Sequence, residues 1–248
     1  MNGHPLLEAR GVTVRFGGLT AVDNVSAAFA PGELVGIIGP NGAGKTTFFN
    51  ALSGVVEPTS GELFAGGSRL TGAKPHRFAQ QGIARTFQTP RVFAELSVAA
   101  NIDFGLQFAG RQRSGSWLLK DEASILNLIG LAAQASLPAA AITPSQQRLL
   151  EIGMALATRP KLLLLDEVAA GLTESEIEAM AQLIRRLRDD LDLTVIWIEH
   201  AVTTLLRHVE RVLVLHQGRK IADGTPAEVV RNAEVVEAYL GDEMVEAV

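Results

Sequence analysis

LVGIIGPNGAGKTT, residues 34 to 47, is the stretch whose reading decides the fold. An apolar β-like run, Leu34 to Ile38, leads into a loop with glycines at 39, 42 and 44, and Lys45 opens a helical pattern with Phe48, Phe49 and Leu52 at helix spacing. Gly39 to Thr46 fits G-x-x-x-x-G-K-[ST] in the strand–loop–helix setting that this pattern requires. Glycines without a Cβ let backbone N–H groups turn inward around phosphate oxygens, and the helix N-terminus adds partial positive charge. The spacing makes Gly39, Pro40, Asn41, Gly42, Ala43, Gly44, Lys45, Thr46 and Thr47 a candidate phosphate cradle. Lys45 is expected to reach the β- and γ-phosphates, and the Thr46 hydroxyl to ligate Mg²⁺.

Upstream, Val12 to Phe16, Ser26 to Phe29 and Glu33 to Gly39 read as strands punctuated by Gly17-Gly18 and Pro31-Gly32. A second β-like patch covers Gly61 to Phe64 and Ile83 to Phe87. From about Thr89 to Arg159 the sequence turns rich in Ala, Leu and Gln and reads as a helical insertion, with its clearest helices at Ala123 to Leu128 and Gln146 to Thr158. An apolar strand (Leu162 to Leu165), an amphipathic helix and another apolar strand (Thr194 to Ile198) follow. Ile177, Met180, Leu183, Ile184 and Leu187 form a core-facing stripe on that helix. Strands alternating with helices imply a largely parallel sheet covered on both faces, within one α/β domain.

KLLLLDE, Lys161 to Glu167, is an apolar strand ending in two acids. A strand buried on both faces ends this way where its C-terminal edge opens on a site. Asp166 is therefore a candidate Mg²⁺ ligand, and Glu167 a candidate base that polarises a water attacking the γ-phosphate.

Composition excludes several classes. The net charge is −5, and the densest basic run, Arg185, Arg186 and Arg188, is followed at once by Asp189 and Asp190. That is a solvated helix face rather than a nucleic-acid surface. No apolar run approaches the roughly 18–20 residues that span a bilayer, and the N-terminus lacks the basic start and apolar stretch of a secretory signal. With no cysteine there is no disulfide framework, as a cytosolic home permits.

Taken together, these motifs resemble the ATP-binding subunits of ABC transporters, over essentially the whole chain. The resemblance implies a P-loop NTPase core with a mainly parallel sheet, an N-terminal antiparallel β subdomain and an inserted helical subdomain. It divides a single ABC ATPase domain, 1–248, into a nucleotide-binding core (1–88 and 160–248) and a helical subdomain of approximately 89–159. Phe16, in VRFGG, lies at the family's adenine-stacking position. Gln88, in ARTFQTP, matches the glutamine loop, which contacts Mg²⁺ or the water and senses the membrane partner. His200, in VIWIEHAV, matches the switch histidine that faces the γ-phosphate. ATP and Mg²⁺ are the implied cofactors.

The implied partners are membrane-spanning permease subunits, a second ATPase subunit (a copy of this chain or a different one) and, indirectly, a periplasmic or extracellular solute-binding protein. The implied place is cytoplasmic, on the inner face of the cell membrane. ARTFQ, RVF, ELSV and the ending VVEAYLG resemble uptake systems for branched-chain and related amino acids, amides or urea. The alternatives are a weakly catalytic or regulatory ABC subunit and a soluble, non-transport ABC ATPase.

Two places depart from the family pattern. Where the signature LSGGQ should open the helix carrying QQRLLEIGMALA, the chain reads ITPSQ, Ile142 to Gln146. Thr143, Ser145 and Gln146 would serve the nucleotide held by the opposite subunit; alternatively, ITPSQ caps a helix, Ser145 being a good N-cap. Thr173, in VAAGLT, stands where the family often has Asp or Asn.

Overall fold

A computed structural model describes residues 4–108, 118 and 119, 121–199, and 202–245. The chain begins with two long antiparallel strands, β1 (Leu7–Phe16) and β2 (Leu19–Phe29), then enters β3 (Leu34–Ile38) and helix α1 (Lys45–Leu52). Strands β4 (Ser60–Ala65) and β5 (Ser68–Arg69) return to the first sheet, and α2 (Pro75–Gln81) leads to β6 (Ile83–Arg85). Among the described residues the α-helices that follow are α3 (Val98–Phe108), α4 (Glu122–Leu128) and α5 (Pro144–Ala157). The last third runs β7 (Leu162–Asp166), α6 (Glu174–Leu191), β8 (Thr194–Ile198), α7 (Val202–His208), β9 (Arg211–His216), β10 (Arg219–Gly224), α8 (Pro226–Val229) and α9 (Ala233–Val245).

These strands build two sheets. One is antiparallel, in the order β2-β1-β4-β5; the other runs β10-β9-β3-β8-β7-β6 and is parallel except for its β9–β10 hairpin. Strand β1 begins earlier than the sequence reading expects, at Leu7, and β2 is longer. Strand β6 stops at Arg85 instead of reaching Phe87, because the Phe87 N–H turns away from the sheet to a Glu151 carboxylate oxygen at 3.2 Å.

The uninterrupted apolar runs of the parallel strands follow from burial on both faces. Leu163, Leu165, Val195, Trp197, Val212 and Val214 point to one side, where they meet the α6 stripe of Met180, Leu183, Ile184 and Leu187. The alternate residues, Leu162, Leu164, Ile196, Ile198, Leu213 and Leu215, meet Phe48 and Phe49 of α1 and the antiparallel sheet. Truncating Phe48, which is fully buried, would cost about 3–5 kcal/mol. The apolar interior of α3–α5, including Val98, Ile102, Ile125 and Leu150, runs without a break into the α6 side of the core.

This topology sets the site. Asp166 pairs with Ile198, and Ile37 with the same Ile198, so β3, β8 and β7 end level at one edge. The loops leaving these strands therefore meet, as expected at the carboxyl edge of an open α/β sheet. Among the described residues no helix is long and apolar enough to cross a membrane.

Candidate nucleotide site

The loop between β3 and α1 is braced by the chain's own backbone. A Cβ at Gly39 would collide with the carbonyl oxygen of Leu215, and one at Gly44 with that of Ala21. Room for phosphate is thus only part of why these positions are glycine: the neighbouring strands β9 and β2 require it as well. The Gly218 N–H donates to the Ala43 carbonyl at 3.0 Å and supports the loop from the β9–β10 turn. Gly44 is the N-cap of α1 in a left-handed conformation (φ 94°), with no side-chain cap.

Lys45 is buried, and its Nζ donates to the carbonyls of Gly39 (2.6 Å) and Pro40 (2.9 Å). Burial lowers its pKa, while the nearby Glu167 carboxylate raises it. Two of the three ammonium donors thus brace the loop. Asn41, Gly42 and Thr46 lie exposed along it, Ala43 is buried and Thr47 half-buried. On the other side, Tyr239 of α9 sits beside Gly39, and burial pushes its phenol up to about 12. Phe16 ends β1 with 51% of its surface open, in the hairpin whose Ala21 underlies Gly44.

The two acids at the end of β7 have different surroundings. The Asp166 N–H donates to Thr86 Oγ1 (3.2 Å), and its Oδ2 accepts from Arg85 Nη2 (3.2 Å). Glu167 is buried and left-handed, with φ 49°. That conformation costs a side-chain-bearing residue about 1–3 kcal/mol, the kind of strain that clusters at functional sites. Its N–H donates to the Ile198 carbonyl at 3.0 Å, and its Oε2 accepts from Gln88 Nε2 at 2.6 Å. Lys45, Gln88 and the pair Asp166 and Glu167, far apart in the sequence, therefore converge at one edge of the sheet.

His200 lies outside the described residues. Its neighbour Glu199 is buried and accepts from the Ala169 N–H (2.7 Å) and from Trp197 Nε1 (3.1 Å). The end of β8 is thereby tied to the segment that follows Glu167.

The ITPSQ segment starts α5 two residues earlier than expected, at Pro144 rather than Gln146. Thr143, not Ser145, is the N-cap: its hydroxyl accepts from the Gln146 N–H, and Gln146 Oε1 accepts from the Thr143 N–H. Pro144 occupies the first turn, where its missing N–H costs nothing. Ser145 lies inside that turn, 3.0 Å from the Thr143 hydroxyl, and its own hydroxyl helps hold Glu176 below the usual carboxylate range, after the amide and hydroxyl of Thr173. Thr173 in turn caps α6. Asp, Asn and Thr all cap well, so the departure at Thr173 preserves the local structure. Among the described residues the side-chain bonds of Thr143, Ser145 and Gln146 run to one another and to Glu176, away from Lys45 and Glu167.

Three residues to which the sequence assigns no role hold this arrangement. Arg85, besides Asp166, donates to Asn50 Oδ1 and Ser53 Oγ at 2.8 Å each. Arg148 of α5 donates to the carbonyls of Val168 (3.4 Å) and Ala170 in the segment after Glu167. Glu151 accepts two backbone N–H groups on either side of Gln88. Only the position of Arg85 within ARTFQ, beside a candidate site residue, hinted at any of them.

The donor set suits Mg²⁺. The Thr46 hydroxyl, the Asp166 carboxylate and the Gln88 side chain are hard oxygen donors with a single carboxylate, as fits an ion that keeps waters and phosphate oxygens in its shell. Among the described residues no cluster of three or more His, Cys, Asp or Glu forms an all-protein cage.

Comparison with known proteins gives a consistent result. The family described as "ABC transporter" matches residues 22–170, and the family "Branched-chain amino acid ATP-binding cassette transporter" matches residues 219–245. The chain is 39% identical to the high-affinity branched-chain amino acid transport ATP-binding protein LivG of Escherichia coli (strain K12), covering 96% of this chain and 98% of LivG. It is 38% identical to BraF of Pseudomonas aeruginosa, a protein of the same description, with the same coverage. The crystal structure of the ADP conformation of MJ1267, an ATP-binding cassette of an ABC transporter, superposes with a TM-score of 0.83 at 28% identity, over 96% of this chain and 99% of that one.

Proposed function

The chain belongs to the ABC transporter ATP-binding family and is a transport ATPase, and from that premise we propose that it energises uptake of branched-chain or closely related apolar amino acids. The C-terminal match over residues 219–245 and the similarity to the branched-chain amino acid transport proteins LivG and BraF support this solute class. The observation that carries the catalytic assignment is the Gln88–Glu167 hydrogen bond beside the Lys45 ammonium.

In this reading the loop N–H groups and Lys45 bind the β- and γ-phosphates, and Phe16 stacks on the adenine. Glu167 accepts the proton of the attacking water as its oxygen bonds to the γ-phosphorus. The bond from that phosphorus to the β–γ bridging oxygen breaks, leaving ADP and inorganic phosphate. Mg²⁺, held by Thr46, Asp166 and Gln88, would neutralise charge on the β- and γ-oxygens. His200 holds the γ-phosphate, while Thr143, Ser145 and Gln146 face the nucleotide of a second ATPase subunit. ATP drives closure of such a pair because it binds the closed state better than the open one.

The working surroundings are the cytoplasmic face of the membrane, beneath the permease subunits. An apolar patch beside the Gln88 loop supports this docking. Phe93 and Phe104, each about two-fifths exposed, stack edge to face at 4.6 Å, next to the exposed Leu96 and Leu137. Contiguous exposed apolar surface of this kind marks interaction sites.

The test is the assembled transporter with its solute-binding protein. Leucine, isoleucine or valine should stimulate ATP hydrolysis, and glycine or urea should not; stimulation by urea alone overturns the solute class. Glu167→Gln should lower turnover by about 10²–10⁴ while retaining ATP binding. Wild-type turnover in that variant overturns the assignment of Glu167.

A further inference from the structure

We propose that Glu151 is a positioning residue that fastens helix α5 to the loop carrying Gln88, so that displacement of α5 moves Gln88 relative to Glu167. The inference rests on the reading in which Gln88 and Glu167 act on ATP. Glu151 lies in α5, two turns beyond the Thr143 cap, and only 5% of its surface is open. Its two oxygens are divided between two backbone donors. Oε1 accepts from the Arg91 N–H at 2.9 Å, and Oε2 accepts from the Phe87 N–H at 3.2 Å. These donors bracket Gln88, one residue before it and three after it.

The segment so held is braced by further contacts. The Phe87 ring has the guanidinium of Arg85 at 4.5 Å and that of Arg91 at 4.1 Å from its centroid. Arg85 is anchored to Asp166, Asn50 and Ser53, and the Thr86 N–H donates to the Leu164 carbonyl at 2.9 Å. One end of the loop is thus fixed to the parallel sheet. Beyond Thr86 the loop's two amides are held by α5, the helix whose first turn carries Thr143, Ser145 and Gln146. A carboxylate suits this task because both of its oxygens are acceptors. An apolar residue here would leave these two partly buried N–H groups without their side-chain acceptor.

Glutamine is the informative replacement. It keeps the volume of glutamate but offers one acceptor oxygen, and its NH₂ would face one of the two backbone donors. In the assembled transporter, Glu151→Gln should lower kcat about 10–100-fold, the usual effect of removing a group that orients a site residue. ATP affinity, set at the Lys45 loop, should change by less than about twofold. Hydrogen exchange on the full chain should quicken at the Phe87 and Arg91 amides and stay unchanged across residues 35–50.

An unchanged kcat overturns the proposal, as does unchanged exchange at those two amides. Faster exchange throughout the phosphate loop, with lost ATP affinity, would make Glu151 a general stabiliser and also overturn it. In the wild-type chain, a non-hydrolysable ATP analogue should alter protection of Leu150–Gly153 and of the Phe87 and Arg91 amides together; independent changes sink the idea. If Glu167→Gln retained wild-type turnover, the functional reading would fall, whereas the exchange result would still report on the α5 link.

Discussion

Helices α1 and α5 both begin beside glycine-rich or hydroxyl-rich sequence, yet their first turns are built in opposite ways. Helix α1 starts from a left-handed Gly44 with no side-chain cap. Helix α5 starts from Thr143 with a complete capping box, Gln146 reciprocating and Pro144 in the first turn. A helix start leaves several N–H groups without partners inside the helix. At α1 no side chain competes for them, and the helix dipole adds to their pull on an anion. At α5 the Thr143 hydroxyl takes one donor and proline removes another. The open start is therefore suited to hold a phosphate of the chain's own nucleotide. The closed start is a stable helix end that offers hydroxyls, those of Thr143 and Ser145, more than free backbone N–H groups.

The contrast is open to experiment. Lys45→Ala removes the charge at the open start and should weaken ATP binding on the order of 10²-fold, the size of about 3 kcal/mol for a charge-assisted contact. Retained affinity in an ATP titration would mean that the backbone donors alone suffice. Thr143→Ala removes the cap of the closed start. It should lower unfolding stability by about 1 kcal/mol, read as a reduced urea midpoint, and leave ATP affinity at the chain's own site untouched. Stability unchanged by Thr143→Ala, with turnover of the assembled transporter reduced, would assign the Thr143 hydroxyl to the partner's nucleotide instead.

The smallest effect lies further along α5. Burial pushes the Glu151 carboxyl up to about 7, against the opposing pull of the Arg91 and Phe87 amides and the charges of Arg85 and Arg91. The folded chain then keeps this proton at pH values where the unfolded chain, near the ordinary 4.5, has released it. The associated stability is present in full below that lower value and is lost as pH rises through about 7. Glu151→Gln lacks this proton. Its unfolding free energy relative to wild type should rise across this window, and parallel pH profiles would refute the shift.

Much of the site was legible in contiguous residues. The phosphate loop, the acids ending KLLLLDE and the apolar strands announce themselves because loop conformation, strand burial and carboxylate placement are written within a few neighbouring positions. The ITPSQ segment was legible only by half. Its helix start was evident, but Pro144 moves the cap to Thr143, because proline occupies the first turn more readily than the cap position. Strand β6 was read as too long for a different reason: nothing near Phe87 in the sequence announces an acceptor sixty-four residues away.

The sequence by itself determined the nucleotide-binding character of the chain, since the cradle depends on glycine conformation and a helix start that local residues dictate. The tertiary structure alone decided how the cradle is coupled to the rest of the molecule. Arg85 meets Asp166 only because β6 lies beside β7, and Glu151 meets the Gln88 loop only because α5 packs over that edge. Charges and amides so far apart in the chain find each other through strand order and helix packing, which no single stretch of sequence encodes.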